Sequence, residues 1–316
     1  MIPPDMTQPD TVATDNEMSL PSLRPLAFLF GLAALIIFAA AYLAFDAQQR
    51  DIRTHAEQNL ANIAILKAGQ IRLWLKERRD DAAVFSDRTP FAERFDNWLR
   101  HGAKDDDDRR LMQSRMDIIL NTQNYQALLL FDPQGQVRLS MPEPVNVDDR
   151  DRQLVFDAMR TQQVRIDDIH ISAAHQPAMG LVAPMLVGEG KDSRVVGVLY
   201  FRIDPTRFLY PLIESWPIES QTAETLLARR DGDEVLFLNR LRHFNAAPLS
   251  FRAPLAALEL PAAQGLRGKT GFTSGKDYRG ENVVGYLLHI PETDWAMVAK
   301  IDEAEIYAPI RRLAFW

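Results

Sequence analysis

The chain has no cysteine. Disulfides, thiolate zinc sites and a cysteine nucleophile are therefore excluded, and the composition suits an oxidising compartment such as the bacterial periplasm. Histidine is scarce, six in 316 residues, with no HExxH and no pair at helical spacing, so no catalytic metal centre is expected. Basic charge is also short: a net charge of −7 argues against a nucleic-acid partner, which needs a basic face. Neither a GxSxG elbow nor a Walker loop occurs, and no cofactor is expected. One further absence is local. From Pro25 to Phe45 there is no Asp, Glu, Lys, Arg, His, Asn or Gln in 21 residues.

As an α-helix rising about 1.5 Å per residue, that run reaches roughly 30 Å, the thickness of a bilayer core. It reads as a transmembrane helix. Core helices rarely stay apolar on every face for so long, and a signal peptide has a shorter apolar core of about 7–15 residues. Residues 1–24, rich in Pro and Asp and poor in aliphatics, are expected to form a disordered tail. Charge alone does not orient the span. Only Arg24 precedes it, whereas Arg50, Arg53 and Lys67 follow.

Residues 46–88 read as a long helix. Ile52, Ala56, Leu60, Ile63, Ile71, Trp74 and Phe85 form an apolar stripe, suited to packing on the chain's own domain or on a second copy. Shorter helices are expected over 87–121, one with Phe91, Phe95 and Trp98 on one face. The DDDD run at 105–108 lacks the spaced ligands and glycine of a calcium loop, and reads as a solvated helix start.

After residue 122 short apolar strands alternate with Gly, Pro and Asp turns. QALLLFDPQGQVRLS reads as a hairpin, DDRDRQLVFDAMR as a helix, and VRIDDIHIS, MGLVAPMLVG and VVGVLYFRID as three strands. The order then returns: the TLLARRDGDEVLFLN hairpin, a helix around Pro254–Gly265, and the strands TGFTSGKD, NVVGYLLHI and WAMVAKID. Asp132 and Asp231, at the first turns, are 99 apart; Asp204 and Asp302, ending the last strands, are 98 apart. Two copies of one α+β unit are expected, each an antiparallel sheet of about five strands covered by helices.

A span, a long helix and two PAS-like units in tandem resemble the double Cache (dCache) sensor region of bacterial transmembrane receptors, of the histidine-kinase and diguanylate-cyclase type. ETLLARRDGDEVLFLN, KDYRGENVVGYLLHIPETDWAMVAKID and EIYAPIRR look like its membrane-proximal unit. The resemblance implies a cytoplasmic tail at 1–24, a span at 25–45 and a long helix at 46–88. It further implies a membrane-distal Cache domain at 89–212, a membrane-proximal one at 213–301, and a helix at 302–316 leading into a second span near RRLAFW. It also implies an inner-membrane protein with residues 46–301 in the periplasm, a homodimer, and a small-molecule ligand held mainly by the distal unit. Amine- and amino-acid-binding relatives carry an Arg followed by a Trp-Tyr-like pair on the covering helix, then a Tyr and an Asp on later strands. Arg152 stands where that Arg would, with Leu154 and Val155 in place of the aromatics. That departure counts against an amino-acid ligand, while a carboxylate clamped by the Arg152 fork remains chemically reasonable.

Strand alternation puts Asp168, His170 and Ser172 on one face, a row able to line a polar pocket or simply to face water. Tyr125 and Tyr200, with Arg138, Met179 and Arg202, are further strand positions able to reach a cavity, whereas Tyr278, Tyr286 and Trp295 suit packing. Asp, His and Ser on one strand do not make a hydrolytic triad, which draws on separate elements, so an enzyme is not expected. The preferred reading is the extracytoplasmic small-molecule-sensing region of a membrane signal-transduction receptor. The other is a membrane-tethered envelope protein that binds a protein partner without signalling. An in-frame second span and output domain downstream would mark the first, and a natural stop the second.

Overall fold

The computed structural model describes residues 24–309, apart from 87–88, 105–106, 144 and 190–191. The tail at 1–23 and the expected start of a second span at 310–316 lie outside the described residues. Helix α1 (Arg24–Ser86) is continuous through the expected span and the long helix. No proline follows Pro25 until Pro90, so nothing removes a backbone donor within it. The chain divides at Asp51/Ile52 into two units. In the first, Phe28, Leu29, Phe30, Leu35, Ile36, Ile37 and Phe38 are 60–77 % exposed, as a lipid-facing helix requires and a core helix does not. Among the described residues this is the one helix long and apolar enough to cross a bilayer.

The second unit holds two antiparallel sheets. Helix α2 (Pro90–Arg100) starts where Thr89 Oγ1 accepts the Ala92 N–H, with Pro90 at the first helical position, and buries Phe91, Phe95 and Trp98. Helix α3 (Asp107–Thr122) buries Met112 and Met116. Then come β1 (Ala127–Phe131), β2 (Val137–Met141), α4 (Asp149–Thr161), β3 (Arg165–Ile171), β4 (Pro177–Val187) and β5 (Arg194–Ile203), paired in the order β2-β1-β5-β4-β3. Helix α5 (Leu209–Glu214) leads to β6 (Glu224–Asp231), β7 (Glu234–Phe237), β8 (Arg252–Pro254), α6 (Pro261–Leu266), β9 (Gly271–Lys276), β10 (Asn282–His289), β11 (Trp295–Asp302) and α7 (Glu303–Ile306).

The second sheet runs β8-β7-β6-β11-β10-β9, repeating the first order with one strand added at an edge. The expectation of about five strands therefore holds for the first sheet and falls one short for the second. The added β8 lies in and before the segment read as a helix from Pro254. Pro254 ends that strand, and the helix begins only at Pro261, whose missing N–H suits a first turn. The first turns match across the copies: Gly135 and Gly232 both adopt positive φ, +74° and +63°, beside Asp132 and Asp231.

The apolar stripe of α1 faces its own domain. Leu60, Ile71, Trp74 and Phe85 join Leu128, Leu130, Leu199 and Phe201 from one face of the first sheet. Each such side chain contributes about 1.5–3 kcal/mol when fully buried. The opposite face carries Leu129, Phe131, Val182, Val198 and Tyr200, and is covered by α4 through Val155 and Ala158.

Candidate functional site

Helix α4 is fixed at both ends. Asp148 caps it by accepting the Asp151 N–H, while Asp151 Oδ2 accepts the Asp148 N–H at 3.2 Å, a reciprocal capping box. Gln162, at φ +54°, ends it. The side chain of Asp151 does more than cap. It is 2 % exposed and points onto the sheet, where Tyr200 donates its hydroxyl to Oδ1 at 2.5 Å and Arg202 donates Nη2 to Oδ2 at 2.6 Å. Arg202 also donates to the Asn146 carbonyl at 3.0 Å. Burial, then the neighbouring Asp151 charge, pushes the Tyr200 hydroxyl well above its ordinary pKa, so it stays a proton donor.

Gly180 on β4 makes room for this phenol. A Cβ there would stand 2.7 Å from the Tyr200 hydroxyl. Beside the cluster, Asp167 receives a two-pronged hydrogen bond from Arg150, at 2.7 Å on each oxygen, and sits 3.1 Å from His170 Nδ1.

Of the residues singled out in the sequence, Tyr200 lies beneath α4, Arg152 on α4 reaches towards the β1–β2 turn, and His170 lies on β3 at the other edge of the sheet. Arg152 is half-buried and donates to the Gly135 carbonyl at 3.2 Å, a neutral partner. His170 is buried beside Asp167. The other three lie elsewhere. Strand β3 carries a bulge: Asp167 pairs with Gly180 and His170 with Ala178, so Asp168 and Ile169 together oppose one residue. The reading that Asp168, His170 and Ser172 share a face is corrected by this extra residue.

Asp168 instead accepts Trp295 Nε1 at 2.7 Å and Arg229 Nη1 at 2.6 Å, both from the second sheet. Ser172 lies past the strand end, its hydroxyl donating to the Gln176 carbonyl in the β3–β4 turn. Tyr125 precedes β1 on the α1 side, donating to Asp81 at 2.9 Å. Asp151, Asp167 and Arg150 were missed by sequence reasoning. The Asp148–Asp151 spacing signals a cap, but nothing in it marks the second duty of Asp151.

The second sheet has a matching cation. Lys300 on β11 stands two residues before the strand-ending Asp302, as Arg202 stands before Asp204. It is 1 % exposed and pairs with both Glu224 at 2.7 Å and Asp277 at 2.8 Å. Arg279 bonds Asp277 and Asp302, and Tyr278 donates to Glu224 at 2.7 Å. Burial alone would raise the Asp277 pKa, but hydrogen bonds from Arg279 and Lys300 outweigh it and hold it below its usual value.

The Cache domain model matches residues 48–310, a span that holds both sheets. The chain belongs to the Cache-domain family. Its double Cache fold is shared by the ligand-binding domain of the Pseudomonas aeruginosa PAO1 amino acid chemoreceptor PctB, solved with L-Arg. The two are 16 % identical, the match covers 82 % of this chain and 92 % of that one, and the TM-score is 0.56. The ligand-binding domain of the Campylobacter jejuni chemoreceptor Tlp3, solved with 4-methylisoleucine, is 12 % identical, with 82 % and 95 % covered and a TM-score of 0.56. The extracellular domain of the putative histidine kinase mmHK1S-Z2 is 15 % identical, with 79 % and 98 % covered and a TM-score of 0.55. Two of these neighbours are thus ligand-binding domains of chemoreceptors and the third is a kinase's extracellular domain. No curated protein matches the chain.

Proposed function

We propose that this Cache chain is the extracytoplasmic sensing region of a bacterial inner-membrane receptor, with α1 spanning the membrane from a cytoplasmic tail and residues 46–301 in the periplasm. The first sheet is the membrane-distal domain and holds the ligand between α4 and strands β3–β5. The observation that carries this is the polar cluster beneath α4, in which the buried Asp151 and Tyr200 close on one another and on the part-buried Arg202. Buried groups of that kind restrict ligand orientation and give specificity. Arg152 and His170 flank the cluster and complete a lining suited to a small acidic molecule.

A ligand acts by stabilising one arrangement of α4 on the sheet, to the extent that it binds that arrangement more tightly. Two copies pair along α1. The support is that Ile65, Leu66, Leu73 and Val84 are 55–61 % exposed on its outer side, with Leu66 and Leu73 one heptad apart.

Thermal-shift screening of the full chain in detergent, against carboxylates, amino acids, amines and purines, tests the reading. A ligand that binds only the folded form raises the melting temperature. His170→Ala and Arg152→Ala should each weaken a hit about tenfold, the loss of roughly one hydrogen bond. Unchanged affinity in both would place the site elsewhere. Because the chain lacks cysteine, single cysteines introduced at Ser250 and Leu73 report sidedness by maleimide labelling of spheroplasts and pairing by oxidative cross-linking.

A further inference from the structure

We infer that Tyr200 and Arg202 form a carboxylate receptor which Asp151 occupies from within the chain, and that a small carboxylate ligand enters by exchanging with it. The inference rests on the sensing reading above and names the ligand class and the device at that site. A hydroxyl and a guanidinium converge on the two oxygens of one carboxylate, at 2.5 and 2.6 Å, with Tyr200 and Asp151 buried and Arg202 part-buried at the edge. Any carboxylate of similar size satisfies the same donors. Gly180 keeps the space behind the phenol open, so the receptor is shaped by the backbone as well as by its donors.

Exchange is the only way in. The Tyr200 hydroxyl has a single proton to donate, and Arg202 Nη2 already serves both Asp151 and the Asn146 carbonyl, so an acid that takes these donors must expel Asp151. Expulsion is survivable because Asp151 sits in the first turn of α4, where the helix dipole favours an anion even in water. Arg152, whose hydrogen bond goes to a neutral carbonyl and which makes no ion pair among the described residues, is the nearby cation left to meet the displaced charge. The exchange also has a mechanical result. Asp151 holds the Asp148 N–H as part of the capping box, so its departure loosens the first turn of α4. Binding and helix movement are thus one event, because the same two oxygens serve both.

The test uses acetate as the probe and does not need the natural ligand. In the full chain in detergent, Asp151→Ala leaves the receptor empty and the Arg202 charge without its carboxylate. Thermal unfolding is compared in sodium acetate and in sodium chloride at equal ionic strength. Acetate is expected to raise the melting temperature of D151A by about 3–5 °C and that of the wild type by less than about 1 °C. The double variant Asp151→Ala/Arg202→Met should show no acetate effect. Should D151A not fold, Asp151→Ser keeps a hydroxyl for the helix turn and carries the same comparison. Equal shifts in variant and wild type, or none in either variant, would overturn the exchange. A ligand found for wild type without acetate rescue removes the exchange alone, whereas rescue with no ligand from the screen removes the sensing reading and leaves the receptor.

Discussion

Asp168 receives the indole N–H of Trp295 at 2.7 Å, joining the bulge of the first sheet to the start of the last strand of the second. Arg229, on the neighbouring strand β6, adds 2.6 Å to the same carboxylate and 2.8 Å to the Ile169 carbonyl. One acid thus gathers two donors from the other sheet. On the opposite side of the bulge, Asp167 holds Arg150 of α4 and His170. Two residues adjacent in sequence therefore face the α4 site and the second sheet respectively.

Asp168→Ala should destabilise the protein by about 2–3 kcal/mol, because it leaves a mostly buried guanidinium without its carboxylate and a buried indole N–H unpaired. Urea unfolding measures the loss. A double-mutant cycle with Trp295→Phe should return a coupling of about 1 kcal/mol, and zero coupling would mean the hydrogen bond carries no stability.

Gly180→Ala should cost about 1–3 kcal/mol through overpacking, since the added methyl meets the Tyr200 hydroxyl at 2.7 Å. In a Tyr200→Phe background the same change should cost less, as the nearest atom is gone. Equal costs in both backgrounds would show that the phenol does not set the space.

Lys67, 4 % exposed, donates among the described residues to neutral oxygens: the carbonyls of Ile213 and Ser215 and the hydroxyl of Thr225. Burial pushes its pKa down to about 8 from 10.5. Between those values the unfolded chain holds a proton that the folded chain has released, so this group makes stability rise with pH across that window. Below pH 8 the full penalty is present. The unfolding free energy of wild type relative to Lys67→Met should therefore increase by up to about 3 kcal/mol between pH 7.5 and 10.5. A constant difference over that range would mean the ammonium has a counter-charge.

Glu305 on α7 accepts from Ser220, from the Gln221 and Thr222 backbones and from the Thr222 hydroxyl. Burial would raise its pKa, but these donors together hold it below its ordinary value of 4.5. Its contribution is present above pH 4.5 and is lost as pH falls through the lower, folded value. Glu305→Gln should cost about 1–2 kcal/mol at pH 7, with the gap to wild type closing in acid. A gap that persists at pH 3 would assign the loss to shape rather than charge.

Periodicity made α1 and its buried stripe legible, and the 99- and 98-residue spacings made the duplication legible, because both follow from repeat lengths the chain must keep. Strand β8 was hidden because Arg252–Pro254 is too short to alternate visibly. The candidate site was half readable. Arg152, His170 and Tyr200 emerged from spacing and resemblance, but the bulge at Asp168–Ile169 breaks the two-residue rule on which the face assignment stood. Asp151 looks like an ordinary cap residue in sequence, and only the folded chain brings Tyr200 beneath it.

Lys300 and Arg202 occupy matching places in the two copies, yet their surroundings differ in number: two acids enclose the first and one meets the second. A cation with two counter-ions keeps a partner when either leaves, whereas a cation with one is exposed to any competitor. Two sheets of one strand order thus differ, among the described residues, in how many acids hold the matching cation.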